Sequence, residues 1–268
     1  MIEVVLLLLI LGVFAGLMSG LLGVGGGIVV VPGLVFILRM VDTPNEVIMH
    51  VASGTSLCIM ILTTLVSGYS HYKRGNVVKS VFKKMLPFVL ISAVIGAILA
   101  NILSVNFLAL LFGLFLLFVS VKLLLPKKKG VQEVHEIREI STQKLSIIGS
   151  LMGVLSGLLG VGGGTVTVPL LLQCRLGIKQ AAGTSVALTV PVSIVGTIAV
   201  MILGLSAVHM PWSTGYVYWP AVLWVGVSSM VFALVGAKLT DVLPASTLRI
   251  AFAVLMLLIA GRMLWGFV

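Results

Sequence analysis

Ser19-Gly20-Leu21-Leu22-Gly23-Val24-Gly25-Gly26-Gly27 recurs without change as Ser156-Gly157-Leu158-Leu159-Gly160-Val161-Gly162-Gly163-Gly164. The copies stand 137 positions apart, about half of the 268-residue chain. Each follows an apolar run and leads into a β-branched run that ends at a proline, Pro32 or Pro169. A duplicated glycine break inside membrane-grade sequence marks a transporter whose halves each bring an interrupted helix to one central site.

The surrounding composition supplies the membrane. The chain is 60% hydrophobic and 9% charged, with a mean hydropathy of +1.27; soluble domains carry roughly 25% charged residues. Apolar runs approach spanning length with their flanks, so the fold class expected is an all-α, multi-pass integral membrane protein. The net charge of +10 does not point to nucleic acid. The basic residues sit in short segments between apolar runs (Lys73, Arg74, Lys79, Lys83 and Lys84; then Lys127, Lys128, Lys129, Arg138 and Lys144), as cytoplasmic loops do. Cys58 and Cys174 have no ligand spacing and no evident disulfide partner. Met1-Ile2-Glu3 lacks a basic n-region, so the first apolar run reads as a membrane element and not a removed signal.

The duplication extends beyond the glycines. Ala52-Ser53-Gly54-Thr55-Ser56 returns as Ala181-Ala182-Gly183-Thr184-Ser185, and Gly96–Asn101 is paralleled by Gly236–Asp241. Three matched blocks in one order give two homologous halves, residues 1–125 and 144–268, joined by a hydrophilic, cytoplasmic linker over 126–143. The pieces flanking the glycines, Val4–Met18 with Ile28–Leu38 and Leu145–Leu155 with Thr165–Gln173, read as too short to cross alone. Three longer spans follow in each half, near 50–69, 85–103 and 107–125, then near 182–204, 217–239 and 246–265. The short pieces form either one broken helix that crosses once or a hairpin that dips in and returns. The hairpin leaves only Arg39 and Arg262 outside among seventeen basic residues, whereas single crossing leaves five outside. Charge therefore favours the hairpin, and with it inverted repeats.

A Gly-Val-Gly-Gly-Gly run is a poor helix, and unwound backbone at membrane depth is tolerated only where protein buries it or it lines a wet cavity. Its N–H groups, with the helix N-terminus beyond, make a positively polarised cradle for an anion. The expected substrate-binding residues are Ser19, Gly23, Gly25, Gly26 and Gly27 in the first half, with Ser156, Gly160, Gly162, Gly163, Gly164 and Thr165 in the second. Thr167 is a further hydroxyl donor. Thr55, Ser56, Thr184 and Ser185 add small hydroxyls, which either line the ligand or bond back to their own helix. Glycines that merely let helices pack closely are the competing account; duplication of the whole block favours a site.

No metal, cofactor or catalytic residue is expected. The seven acidic residues, Glu3, Asp42, Glu46, Glu133, Glu136, Glu139 and Asp241, all fall outside the span centres, so proton or sodium coupling has no visible carrier. The histidines His50, His71, His135 and His209 sit at span ends or in loops, which leaves an intramembrane serine protease without its base. Asn101 and Asp241 read as helix-terminating residues. An anion leaving a cell that is negative inside needs no other coupling.

With the repeated Gly-Leu-Leu-Gly-Val-Gly-Gly-Gly, the following Val31-Pro32 and Val168-Pro169, and the Gly-Thr-Ser blocks Gly54–Ser56 and Gly183–Ser185, the chain resembles the TauE/SafE family of sulfite exporters over essentially its whole length. The resemblance implies an inner-membrane permease, not an enzyme, that moves sulfite, organosulfonates or related small inorganic or organic sulfur anions. An anion channel of the same architecture and a non-transporting membrane assembly protein are the alternatives. Beyond that anion and the lipid bilayer the sequence names no partner, and it assigns no oligomeric state.

Overall fold

The computed structural model describes residues 2–22, 26–124, 140–208, 210–239 and 245–266. Among them run ten helices: α1 (Ile2–Leu22), α2 (Gly27–Met40), α3 (Ile48–Lys73), α4 (Lys79–Ile102), α5 (Val105–Leu124), α6 (Thr142–Leu159), α7 (Gly164–Gln173), α8 (Ile178–Gly204), α9 (Trp219–Leu239) and α10 (Ala245–Gly266). A two-residue-per-strand hairpin, β1 (Ser213–Thr214) and β2 (Val217–Tyr218), joins α8 to α9. The protein is all-α and membrane-spanning: seven helices among the described residues are long and apolar enough to cross a bilayer.

Each half is five helices, the second short. The arms before the glycines are longer than the sequence suggests. α1 has 21 residues and α6 has 18, about 31 and 27 Å at 1.5 Å per residue, so both reach spanning length. The reason is that Ser19-Gly20-Leu21-Leu22 stays helical. A single glycine costs only about 1 kcal/mol, less than leaving apolar-embedded backbone without its hydrogen bonds. The break falls only where glycines run together. The arms after the break remain short, 14 and 10 residues.

α2 returns alongside α1 and does not continue it. Gly33 of α2 lies against Leu11, and Gly26 lies against Ala15 and Ser19. In the second half Gly163 lies against Met152, the same register 137 residues on.

Helix partners exchange between the halves. α1 packs on α9 and its counterpart α6 on α4; α3 packs on α8, and α5 on α10. The α3–α8 pair is antiparallel: Gly68 faces Val186 and Val190, while Gly196 faces Leu57. Close helix approach uses a glycine stripe. Gly12 and Gly16 meet Ser228 and Ser229 of α9, and Gly149, Gly153 and Gly157 meet the α4 turns from Met85 to Ala97. The glycine motif therefore divides into two jobs, with its early glycine (Gly157) used for packing and its later run forming the loop.

Gly153→Val measures the packing job. An added Cβ there would strike the Val89 carbonyl and the Ser92 hydroxyl, prising α6 from α4. The thermal midpoint in detergent is expected to fall by several degrees, as overpacking costs about 1–3 kcal/mol. Gly261→Val, where nothing lies within 4 Å, is expected to leave it in place.

Candidate functional site

The two glycine loops meet. A Cβ on Gly27 would stand 2.7 Å from the Gly160 carbonyl oxygen, 3.0 Å from the Val161 Cα and 3.1 Å from Met60 Sδ in the middle of α3. Only a glycine lets backbone approach that closely. Gly160 is constrained twice more. It closes α6 in a left-handed conformation, φ 65°, with its N–H bonded to the Ser156 carbonyl at 2.9 Å. It also rests on the backbone of Ser53. Gly26 caps α2 with φ 74°, and its carbonyl accepts the N–H groups of Val29 and Val30. Gly163 caps α7 in a right-handed conformation, φ −59°, and its carbonyl accepts from Val166 and Thr167. Gly23 and Gly25 lie outside the described residues.

Both short helices start at this junction, so their first N–H groups, at Gly27 and Ile28 and at Gly164 and Thr165, have no intrahelical acceptor. They supply partial positive charge without a cation. None of the residues gathered here is charged.

The hydroxyls sort into three fates. Most of those elsewhere in helices bond back to a carbonyl three or four residues earlier: Thr63, Thr64, Ser92, Ser120, Thr189, Ser193, Ser228 and Ser229 all do so. Three others tie the halves together. Ser56 donates to the Gly160 carbonyl at 2.7 Å, Thr55 accepts the Tyr218 N–H at 3.0 Å, and Thr184 accepts the Val78 N–H at 3.0 Å. Among the described residues the third group has no partner. Ser156 before the loop, Thr167 after it and Ser185 beside Thr184 are buried with their oxygens unbonded, as are Thr43 and Thr197. Ser19 is buried on α1 beside Gly26. Thr165 is half-buried and reaches its own Gly162 carbonyl only at 3.5 Å.

Two features escaped the sequence reading. The segment Ser206–Trp219 holds the β1–β2 hairpin. Its turn is Gly215-Tyr216, with Gly215 at φ 56°. Tyr216 packs on Gly54, stacks on His50 at 5.1 Å and donates its phenol proton to Asn101 at 2.8 Å. Burial pushes the Tyr216 phenol up, so it stays a donor through neutral pH. Asn101 lies in the last turn of α4, which Leu103 caps, and its side chain holds the hairpin. Asp241 lies outside the described residues. The second feature is that Arg74-Gly75-Asn76-Val77-Val78 aligns with Thr214-Gly215-Tyr216-Val217-Tyr218 at a spacing of 140, with Gly75 and Val77 recurring as Gly215 and Val217, the spacing of the Gly96 and Gly236 blocks. That signal was available in the sequence.

An apolar groove of about 480 Å³ between α1, α2 and α10 is lined by Leu7, Phe14, Phe36 and Ile259 among others. Among the described residues, neither glycine loop lines it. Among the described residues no three His, Cys, Asp or Glu side chains group as a metal site.

Comparison with known proteins agrees with this architecture. Among the relatives is a probable membrane transporter protein of Haemophilus influenzae, 34% identical over 265 residues that cover 98% of this chain and 99% of the relative. Another, of Methanocaldococcus jannaschii, is 29% identical and covers 91% of this chain and 89% of its own. A third, YunE of Bacillus subtilis, is 28% identical over 97% of both chains. No solved structure matches. A family profile described as Sulfite exporter TauE/SafE matches residues 8–263, and the chain therefore belongs to the TauE/SafE family of membrane transporters.

Proposed function

We propose that this transporter is a permease of the inner membrane that carries small sulfur-containing oxyanions, such as sulfite or organosulfonates, outward through the junction of its two glycine loops. The observation that carries this reading is the contact of Gly27 with Gly160 and Val161, flanked by the unbonded hydroxyls of Ser156 and Thr167. Paired helix N-termini and hydroxyl donors match an oxyanion, which accepts hydrogen bonds on every face and offers few. The absence of a charged group among these residues keeps binding weak enough for release. The relatives' names and the family description support transport and the sulfur class.

Antiparallel α3 and α8, together with the exchange of partners between α1–α9 and α6–α4, support halves that are inverted in the membrane. The anion cradle then comprises Gly25, Gly26, Gly27 and Ser19 from one side and Gly162, Gly163, Gly164, Thr165 and Ser156 from the other. Gly160 shapes the turn that closes α6. Outward movement is favoured by about 2.3 kcal/mol per charge per 100 mV of inside-negative potential.

The test is uptake and efflux in proteoliposomes under an imposed potential, with sulfite, sulfate, thiosulfate and taurine compared. Saturable, potential-sensitive sulfite flux is expected in the wild type. Folded Gly26→Val and Gly163→Val should lose it. Flux of none of the four anions by folded wild-type protein overturns the reading.

A further inference from the structure

We propose that the loops that follow α3 and α8 are the two gates of the transport path, with Thr184 and Thr55 as their latches. The inference rests on transport itself and not on which anion is carried.

The loop after α3 folds over the start of α8, and the hairpin after α8 folds over the start of α3. On the first side Asn76 lies against Gly183, whose added Cβ would stand 2.7 Å from the Asn76 carbonyl oxygen. On the second, Tyr216 lies against Gly54, with 2.6 Å for the same measure. Two residues further on, each loop gives one backbone N–H to a threonine of the other half: Val78 to Thr184 and Tyr218 to Thr55, both at 3.0 Å. These positions are equivalent in the repeat. Because α3 and α8 run antiparallel, the two latches stand at opposite ends of that pair.

A latch must hold and must let go. One neutral hydrogen bond shifts an equilibrium by roughly three- to tenfold, enough to bias a loop and weak enough to break in transport. The Thr55 latch is also one residue from the site. Ser56, next to Thr55, holds the Gly160 carbonyl of the opposite glycine loop. Ser185, next to Thr184, is buried and bonded to nothing. A change in the loop at Gly160 therefore pulls directly on the turn that carries Thr55. The two ends also differ in strength. The hairpin keeps the His50 stack and the Tyr216–Asn101 bond; the other loop is held within its own half by the Asn76–His71 side-chain contact at 3.3 Å and by backbone bonds from Asn76 to His71 and from Gly75 to Tyr72.

The test uses Ser156→Cys as reporter in a Cys58→Ala, Cys174→Ser background, with a membrane-impermeant maleimide applied to one side of oriented membrane vesicles at a time. With both latches intact, labelling from either side is slow. Thr184→Val should speed labelling from the side where α3 ends, roughly three- to tenfold, the population shift that one lost hydrogen bond allows. Thr55→Val should speed it from the opposite side, and by less. Thr→Ser at either position should restore slow labelling, which a packing defect would not do. Gly183→Ala and Gly54→Ala push the loops off by contact alone and should reproduce the same sidedness. Acceleration from the same side in both variants, or in neither, overturns the assignment. The readout needs no substrate, so it stands or falls apart from the sulfite experiment.

Discussion

Gly160→Ala is expected to cost the protein both stability and transport. The residue holds φ 65°, a conformation that costs an L-residue about 1–2 kcal/mol. The new methyl would be driven into the Ser53 carbonyl, which is backbone within α3 and has little room to give. Relief requires α6 to withdraw from α3, and that breaks the Ser56–Gly160 bond and opens the contact with Gly27. The summed loss is at least 2–4 kcal/mol. In size-exclusion chromatography after graded heating, the midpoint should drop by more than for any other single glycine-to-alanine change in the loops. Gly261→Ala is the control: it lies in α10 with nothing within 4 Å, and helix propensity favours alanine there. A Gly160→Ala protein as stable as wild type would mean that the junction is looser than described.

Much of this architecture was legible in the sequence because it is written twice. The nine-residue repeat, the Gly-Thr-Ser blocks and the hydropathy identified the class, and the distribution of basic residues favoured the folding-back of α2 on α1 over a single crossing. Helix length was misjudged because Gly20 and Gly157 look like breaks, whereas in a packed apolar setting lone glycines serve contact; Gly157 does so against Ala93 and Ala97. The hydroxyls could not be sorted by sequence. Thr63 and Thr167 are chemically alike, and whether a threonine bonds back to its own helix depends on the rotamer that packing selects. Only tertiary structure separates Thr63, bonded to Met60, from Thr167, bonded to nothing. The latches were hidden for a related reason. Thr55 and Thr184 recur at one spacing and the loops that reach them at another, so their pairing emerges only when α3 and α8 lie side by side.

Thr167→Val should separate binding from stability by moving them in opposite directions. The Thr167 hydroxyl is fully buried and has no partner, so it carries a desolvation penalty of about 1–3 kcal/mol with no bond to offset it. Valine has nearly the same shape, and the equivalent position in the first half is already Val30, itself buried. The substitution is therefore expected to raise the thermal midpoint slightly in the absence of anion. For transport the sign reverses. If the hydroxyl donates to a bound oxyanion, its loss removes a hydrogen bond to a charged group, about 1.5–3 kcal/mol. That corresponds to a rise of roughly 10- to 150-fold in the half-saturating concentration. Ser156→Ala should add to the loss, since Ser156 stands on the other side of the same loop with its oxygen also unbonded. Ser19→Ala tests the asymmetry of the halves and should cost less, because no second hydroxyl matches it at Val30 or Ile28. A Thr167→Val protein that melts lower and transports normally would make the hydroxyl a structural tie and remove it from the site. One that melts higher and loses affinity would identify an oxygen whose partner is the passing anion: the native state tolerates a buried, unbonded donor because transport supplies its acceptor.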